Sequence, residues 1–194
     1  DMLEPAHASS PHVVGELWAT TLWHMTWNMI EQEGIINTNL FDATAEGANS
    51  DALKLVTLGL KLQPCSPGFL DGRDALLKAD EILFDGKYSC AIWDAFAKRG
   101  MGVDAVQGSS NSLGDQVADF TKPNGALIKK TVDKITAPQI DILTYTVNIQ
   151  AHCEPISGFK VVDTLAPNVT YVSGGTYNPG NRTVTLNVPS LNAG

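Results

Sequence analysis

PHVVGELWATTLWHMTWNMIEQEG, residues 11–34, holds three of the chain's four tryptophans and decides how the first half must fold. Its apolar residues fall in two rows at helical spacing: Val14, Trp18, Leu22, Met25 and Met29, then Trp23, Trp27 and Ile30. A helix apolar around most of its circumference belongs inside a domain with other helices on two sides. Pro11 stands before it, and Gly34 is placed to end it in the left-handed conformation. His12 lies at its entrance, where helix amides lack intrahelical partners and a polar ligand can be met.

Outward from that helix, DMLEPAHASS (1–10) has no period and reads as a loop, and 35–50 is a loop rich in Asn, Thr, Ala and Gly. Asn49 or Ser50 can cap a second helix reaching Leu62, with Gly59 marking a close helix crossing. Gln63-Pro-Cys-Ser-Pro-Gly68 is a turn. A third helix is expected over 70–83, stopping at Asp85-Gly86, and a fourth from Ser89, with Ile92, Trp93, Phe96 and Ala97 inward. The sequence thus predicts a bundle of about four helices.

From Thr131 the period becomes two. Leu143–Gln150 and Thr183–Val188 alternate apolar and polar residues, and 159–165 and 169–173 are shorter strand candidates between turns. The expected fold class is therefore α+β and multi-domain: helices over 1–122, a linker over 123–134, and an incomplete all-β sandwich over 135–194. Charge follows the same division. Residues 1–122 carry 17 acids and 8 bases, whereas 123–194 carry 4 and 5. The overall net charge of -8 argues against nucleic acid as a partner, since its binders need a clustered basic face. No apolar run is long enough to span a membrane, and both ends read as cut from a longer chain.

Candidate chemistry is sparse. No Cys-x-x-Cys, His-x-x-x-His or His-Glu-x-x-His occurs, so the chain is expected to contribute no metal ligands. His24, mid-helix among apolar residues, is expected to be a hydrogen-bonded core or boundary histidine. Asp71, Arg73, Asp74 and Asp80 form a charged stripe for which helix-end and local pairing roles suffice. Cys65 and Cys90 flank the third helix and leave two readings open, a bridge or two reduced thiols, with Cys153 left over.

Three stretches, PHVVGELWATTLWHMTWNMIEQEG, LKLVTLGLKLQPCSPGFLDGRDALLKAD and CAIWDAFAKRGMGVDAVQGSS, resemble the C-terminal part of the fungalysin metallopeptidases, in their bacterial form, over residues 10–122. That resemblance implies a secreted, extracellular zinc endopeptidase of thermolysin-like fold acting on protein or peptide substrates. Its zinc ligands, two histidines of His-Glu-x-x-His and a glutamate, would precede this region. It implies that His12 is a catalytic residue donating a hydrogen bond to the oxyanion, and that Cys65 and Cys90 pair; it leaves calcium open. Glu16 also matches a common residue of the family. The β part resembles an immunoglobulin-like repeat of bacterial surface proteins, which implies attachment to a cell surface and a final strand still to come. The rival expectation is a non-catalytic extracellular binding or structural module.

Overall fold

The computed structural model describes residues 11–192, apart from 43, 110, 111, 113, 135, 137, 139 and 140. The loop expected over 1–10 lies outside the described residues. The chain divides into two compact units, Asp1–Pro123 and Asn124–Gly194.

Four helices form the first: α1 (Pro11–Glu33), α2 (Ala48–Leu62), α3 (Phe69–Phe84) and α4 (Ser89–Ala97). Helix α1 packs on α2 and α4, and α3 on the same two. Their shared core is built from Met25, Met29, Leu55, Leu76, Ile92 and Phe96, with small residues Ala48, Ala52, Ala79 and Ala95 between them. Small side chains at facing positions let the helix axes approach, and Gly59 shows how closely. A Cβ there would stand 3.0 Å from Leu76 Cδ2, so the α2–α3 crossing expected at this glycine is present. Gly34 ends α1 with φ 67°, its N–H bonding Ile30 O at 2.7 Å.

Two details differ from the sequence reading. Helix α2 begins one residue before Asn49, with Gly47 as its cap and no side-chain capping bond. Asn49 is occupied elsewhere: its Oδ1 accepts from Asn37 N–H and its Nδ2 donates to Asn37 O, pinning the preceding loop onto the helix start. The second difference concerns α1. Met25 and Met29 are buried, but Trp23 is 64% and Trp27 43% exposed, whereas Ile30 of the same row packs against the core.

Among the described residues, the second unit holds five strands. β1 (Ala126–Val132) pairs antiparallel with β2 (Tyr145–Ala151), and β5 (Thr183–Val188) lies between β3 (Phe159–Thr164) and β4 (Thr176–Asn178), also antiparallel. A two-stranded and a three-stranded sheet fall short of a full sandwich. Most of the span expected as linker is strand β1, hidden from sequence reading because six of its seven residues are exposed and no burial alternation marks it. The strand expected over 169–173 is absent. There the Ala166 and Val169 carbonyls accept from Arg182 Nη2 at 2.7 and 2.6 Å, so a side chain serves acceptors that a neighbouring strand would otherwise take.

Candidate active-site wall

Helix α1 is fixed by its inner face. Trp18 stacks on Phe69 (centroids 5.9 Å apart) and meets Phe96 edge-on (5.7 Å). Gly72 of α3 makes room for it, since a Cβ there would meet the indole at 2.5 Å. Polar ties then lock α1 to α4 and the residues around it. Asn28 Nδ2 donates to Ala91 O, Gln32 Nε2 to Lys87 O, and Arg99 Nη2 to Thr20 O. Lys87 pairs with Glu33 at 2.7 Å. A helix held at so many points along one side presents its other side as a rigid ridge.

That outer side carries His12, Glu16, Ala19, Trp23 and Trp27, all exposed and spaced four, three, four and four residues apart. His12, the residue singled out from sequence, sits in the first turn of α1 just after Pro11, which needs no hydrogen-bond donor there. It is exposed there, at the helix entrance where the sequence placed it. The Trp23 and Trp27 rings meet edge-to-face at 5.9 Å.

His24 is half-buried, with Arg99 Nη1 at 3.0 Å from its Nδ1. Burial, then the charges of Lys98 and Arg99, hold its pKa below the ordinary imidazole value. Nδ1 is therefore an acceptor for the guanidinium, the boundary role expected.

The charged stripe of α3 is only partly superficial. Asp71 accepts from Gly68 N–H (2.8 Å) and from Gln107 Nε2 (2.7 Å), and these bonds lower its pKa. Arg73 pairs with neighbouring Asp74 as expected, yet it is also buried. It donates to the carbonyls of Met101 and Gly102, and its guanidinium lies 4.6 Å from the centre of the Trp93 ring. Asp80 is fully buried, and both its carboxylate oxygens lie 3.1 Å from Tyr88 N. Desolvation pushes its pKa up to about 6, against the opposing effects of that N–H and of Lys87. Tyr88 donates its hydroxyl to Asp51 at 2.9 Å, and burial followed by this bond raises its pKa to about 12. Sequence reading missed the burial of Arg73 and Asp80. Its signal was there: they lie three before and four after Leu76, on the apolar row of α3.

The implied Cys65–Cys90 pairing does not occur. Cys65 is a free, exposed thiol, while Cys90 and Cys153 are both disulfide-bonded. The 16-residue helix α3 stands between Cys65 and Cys90. Among the described residues of the helical unit, no three His, Cys, Asp or Glu side chains converge on one point.

The chain is similar in sequence to extracellular metalloproteinases. An extracellular metalloproteinase 4 of Arthroderma benhamiae is 43% identical over 111 residues, which is 55% of this chain and 17% of that protein. The corresponding protein of Trichophyton soudanense is 41% identical over 111 residues, covering 28% of its length. An extracellular metalloproteinase MEP of Neosartorya fischeri is 42% identical over 106 residues, 53% of this chain and 17% of that one. The chain thus matches only a minor part of the length of these relatives. The profile of the fungalysin metallopeptidases (M36) matches residues 2–105, and the chain belongs to that family.

Proposed function

We propose that this chain is the C-terminal helical part of a secreted, zinc-dependent endopeptidase, in the bacterial form of the family, that hydrolyses peptide bonds in proteins. The observation carrying this reading is the fungalysin match over residues 2–105 together with His12 exposed at the head of α1. The metal belongs to residues outside this chain. The wall of the substrate cleft is the contribution of α1, and His12 donates a hydrogen bond to the oxygen that gains negative charge as the peptide carbonyl is attacked. A donor preorganised on a rigid helix needs no reorientation at that moment, and groups of this kind are worth about 3 kcal/mol of barrier. The β unit spaces the enzyme or attaches it to a surface. No helix among the described residues is long and apolar enough to cross a membrane.

The test has two parts. Alone, the chain is expected to leave casein intact with or without added zinc; chelator-sensitive cleavage by the isolated chain would overturn the division of labour. In the parent enzyme, His12→Ala is expected to lower kcat by about 100-fold while KM changes little. An unchanged kcat would remove His12 from the mechanism. A parent gene with no His-Glu-x-x-His upstream of Asp1 would favour the rival, a non-catalytic extracellular module.

A further inference from the structure

Asn124-Gly125 is the one Asn-Gly pair in the chain, and it stands immediately before β1. The Asn124 side chain is exposed, and among the described residues it takes part in no hydrogen bond. The Gly125 N–H likewise has no acceptor among them, whereas the Gly125 carbonyl accepts from His152 N–H at 2.9 Å. Gly125 has φ 110°, a backbone region that residues with a Cβ rarely adopt, and nothing lies within 4 Å of where a Cβ would stand. An unengaged amide nitrogen with an open face beside it can be reached by the side-chain carbonyl of the residue before it. Other asparagines are placed differently. Asn28 donates to Ala91 O, Asn37 to Asp42 O and Ser50 Oγ, and Asn49 to Asn37 O. Each of these amides is held, and each is followed by a residue whose Cβ crowds the nitrogen.

From this placement we propose that Asn124 is a self-modification site, at which the folded chain converts its own side-chain amide into an acid without an enzyme. The Gly125 nitrogen attacks Asn124 Cγ. As the N–Cγ bond forms, the Cγ–Nδ2 bond breaks, and ammonia leaves with the proton that the Gly125 nitrogen gives up. The product is a cyclic imide, and nothing is oxidised or reduced. Solvent water then opens the ring. Hydrolysis at Cγ leaves ordinary aspartate, whereas hydrolysis at the main-chain carbonyl of residue 124 leaves isoaspartate, in which the backbone runs through the side-chain carbons. Both products add a negative charge. Isoaspartate also lengthens the main chain directly before the His152-to-Gly125 hydrogen bond and the Ala126–Ala151 pair that open the β1–β2 ladder. That end of the ladder is therefore where the change is felt. The inference does not depend on the proposed proteolytic role.

Ageing the purified 194-residue chain at mildly alkaline pH, with its peptides read by mass spectrometry, tests this. The peptide carrying Asn124 is expected to show the amide-to-acid mass change before any other asparagine peptide, and to accept methyl groups from an isoaspartyl-specific methyltransferase. Its rate in the folded chain is expected to match that in the urea-unfolded chain, because folding ties up neither reacting group. Asn28, Asn37 and Asn49 are expected to be slower when folded. Gly125→Ala is expected to slow the reaction about tenfold or more, since a Cβ both crowds the nitrogen and resists the positive φ. Asn124→Gln, whose longer side chain closes a less favourable ring from an exposed position, is expected to lose the product while the fold stays intact, so the test survives a Gly125→Ala variant that does not fold. In isoaspartate-containing protein, hydrogen exchange of His152 N–H is expected to quicken, while that of Asp133 N–H, bonded to Thr144 O at the opposite end of the ladder, stays unchanged. An Asn124 that survives far longer in the folded chain than in urea would overturn the inference. So would earlier conversion at another asparagine, or undiminished conversion in Asn124→Gln. Unchanged exchange at His152 would overturn its coupling to the ladder.

Discussion

The helical unit and the β unit are held together by different forces. In the first, Met25, Met29, Leu55, Leu76, Ile92 and Phe96 are almost fully buried in one contiguous cluster. In the second, Ala151 and Cys153 are the only buried apolar residues among those described, and the strands read as half-buried or exposed. Area removed from water dominates the helical unit. The β unit relies on backbone ladders, turn geometry and side chains such as Arg182 that serve stranded carbonyls. A ladder fixes register but adds little net stability per bond, because water competes for each donor and acceptor. Two units that are both compact can thus be held together to different degrees.

All four tryptophans lie in the helical unit and three of the four tyrosines in the β unit, so the two can be followed separately. The largest effect is expected from Phe96→Ala, which empties the core against Trp18 and should cost about 3–5 kcal/mol in denaturant unfolding read by tryptophan fluorescence. Leu186→Ala in β5, only half-buried, should cost about 1–2 kcal/mol in exchange of β-unit amides. Equal losses at the two sites would break the contrast and mean that the strands close over a core of their own.

Arg73→Ala sharpens the view of the helical unit as more than apolar area. It strands the Met101 and Gly102 carbonyls and bares Trp93, for an expected loss of about 2–3 kcal/mol. Arg73→Lys should recover only part of this, because one ammonium cannot reproduce the planar fork.

Asp80 gives a pH signature. Its folded pKa of about 6 is above the ordinary carboxylate value of 3.8, so the folded chain holds this proton more tightly than the unfolded chain. The stability linked to that proton is complete below about pH 4 and is lost as pH rises through 6. Asp80→Asn, which keeps an acceptor for Tyr88 N–H, should therefore stabilise the helical unit by on the order of 1–2 kcal/mol at pH 7.5. The gain should vanish toward pH 4; thermal melts across that range would show it. A pH-independent difference would place the effect in packing rather than ionisation.

An effect as small as that of Leu186→Ala belongs to the β unit's turn. Gly175 has φ 71°, and a Cβ there would lie 2.8 Å from both Leu186 and Val184 side chains. Gly175→Ala should cost about 1–2 kcal/mol in β4–β5 amide protection, and no loss would mean that this turn does not set the β4–β5 register.

Hydrophobic period and punctuation made much of this chain readable as sequence. Gly34, Asp85-Gly86 and the Gln63–Gly68 turn ended helices as expected, β2 showed the alternation expected of it, and β3 and β5 formed where strands were expected, β5 without alternating burial. The PHVVGELWA stretch marked His12 as the residue of interest, and the fungalysin match followed from residues that local pattern alone could not have interpreted. Local signals of this kind travel in the sequence because caps, turns and amphipathic periods are decided within a few residues.

Tertiary structure decided what no period can encode. It turned Trp23 and Trp27 outward although their spacing matched that of the buried row, because α2 and α4 can cover only part of a cylinder. It drew Arg73 and Asp80 inside, where Met101, Gly102 and Tyr88 could satisfy them. It left Cys65 a free thiol where pairing with Cys90 was implied, and it made a strand of residues 126–132, for which pairing with β2 rather than burial is the organising interaction. In each case a partner distant in sequence set the outcome, and the identity of that partner is fixed only when the chain has folded.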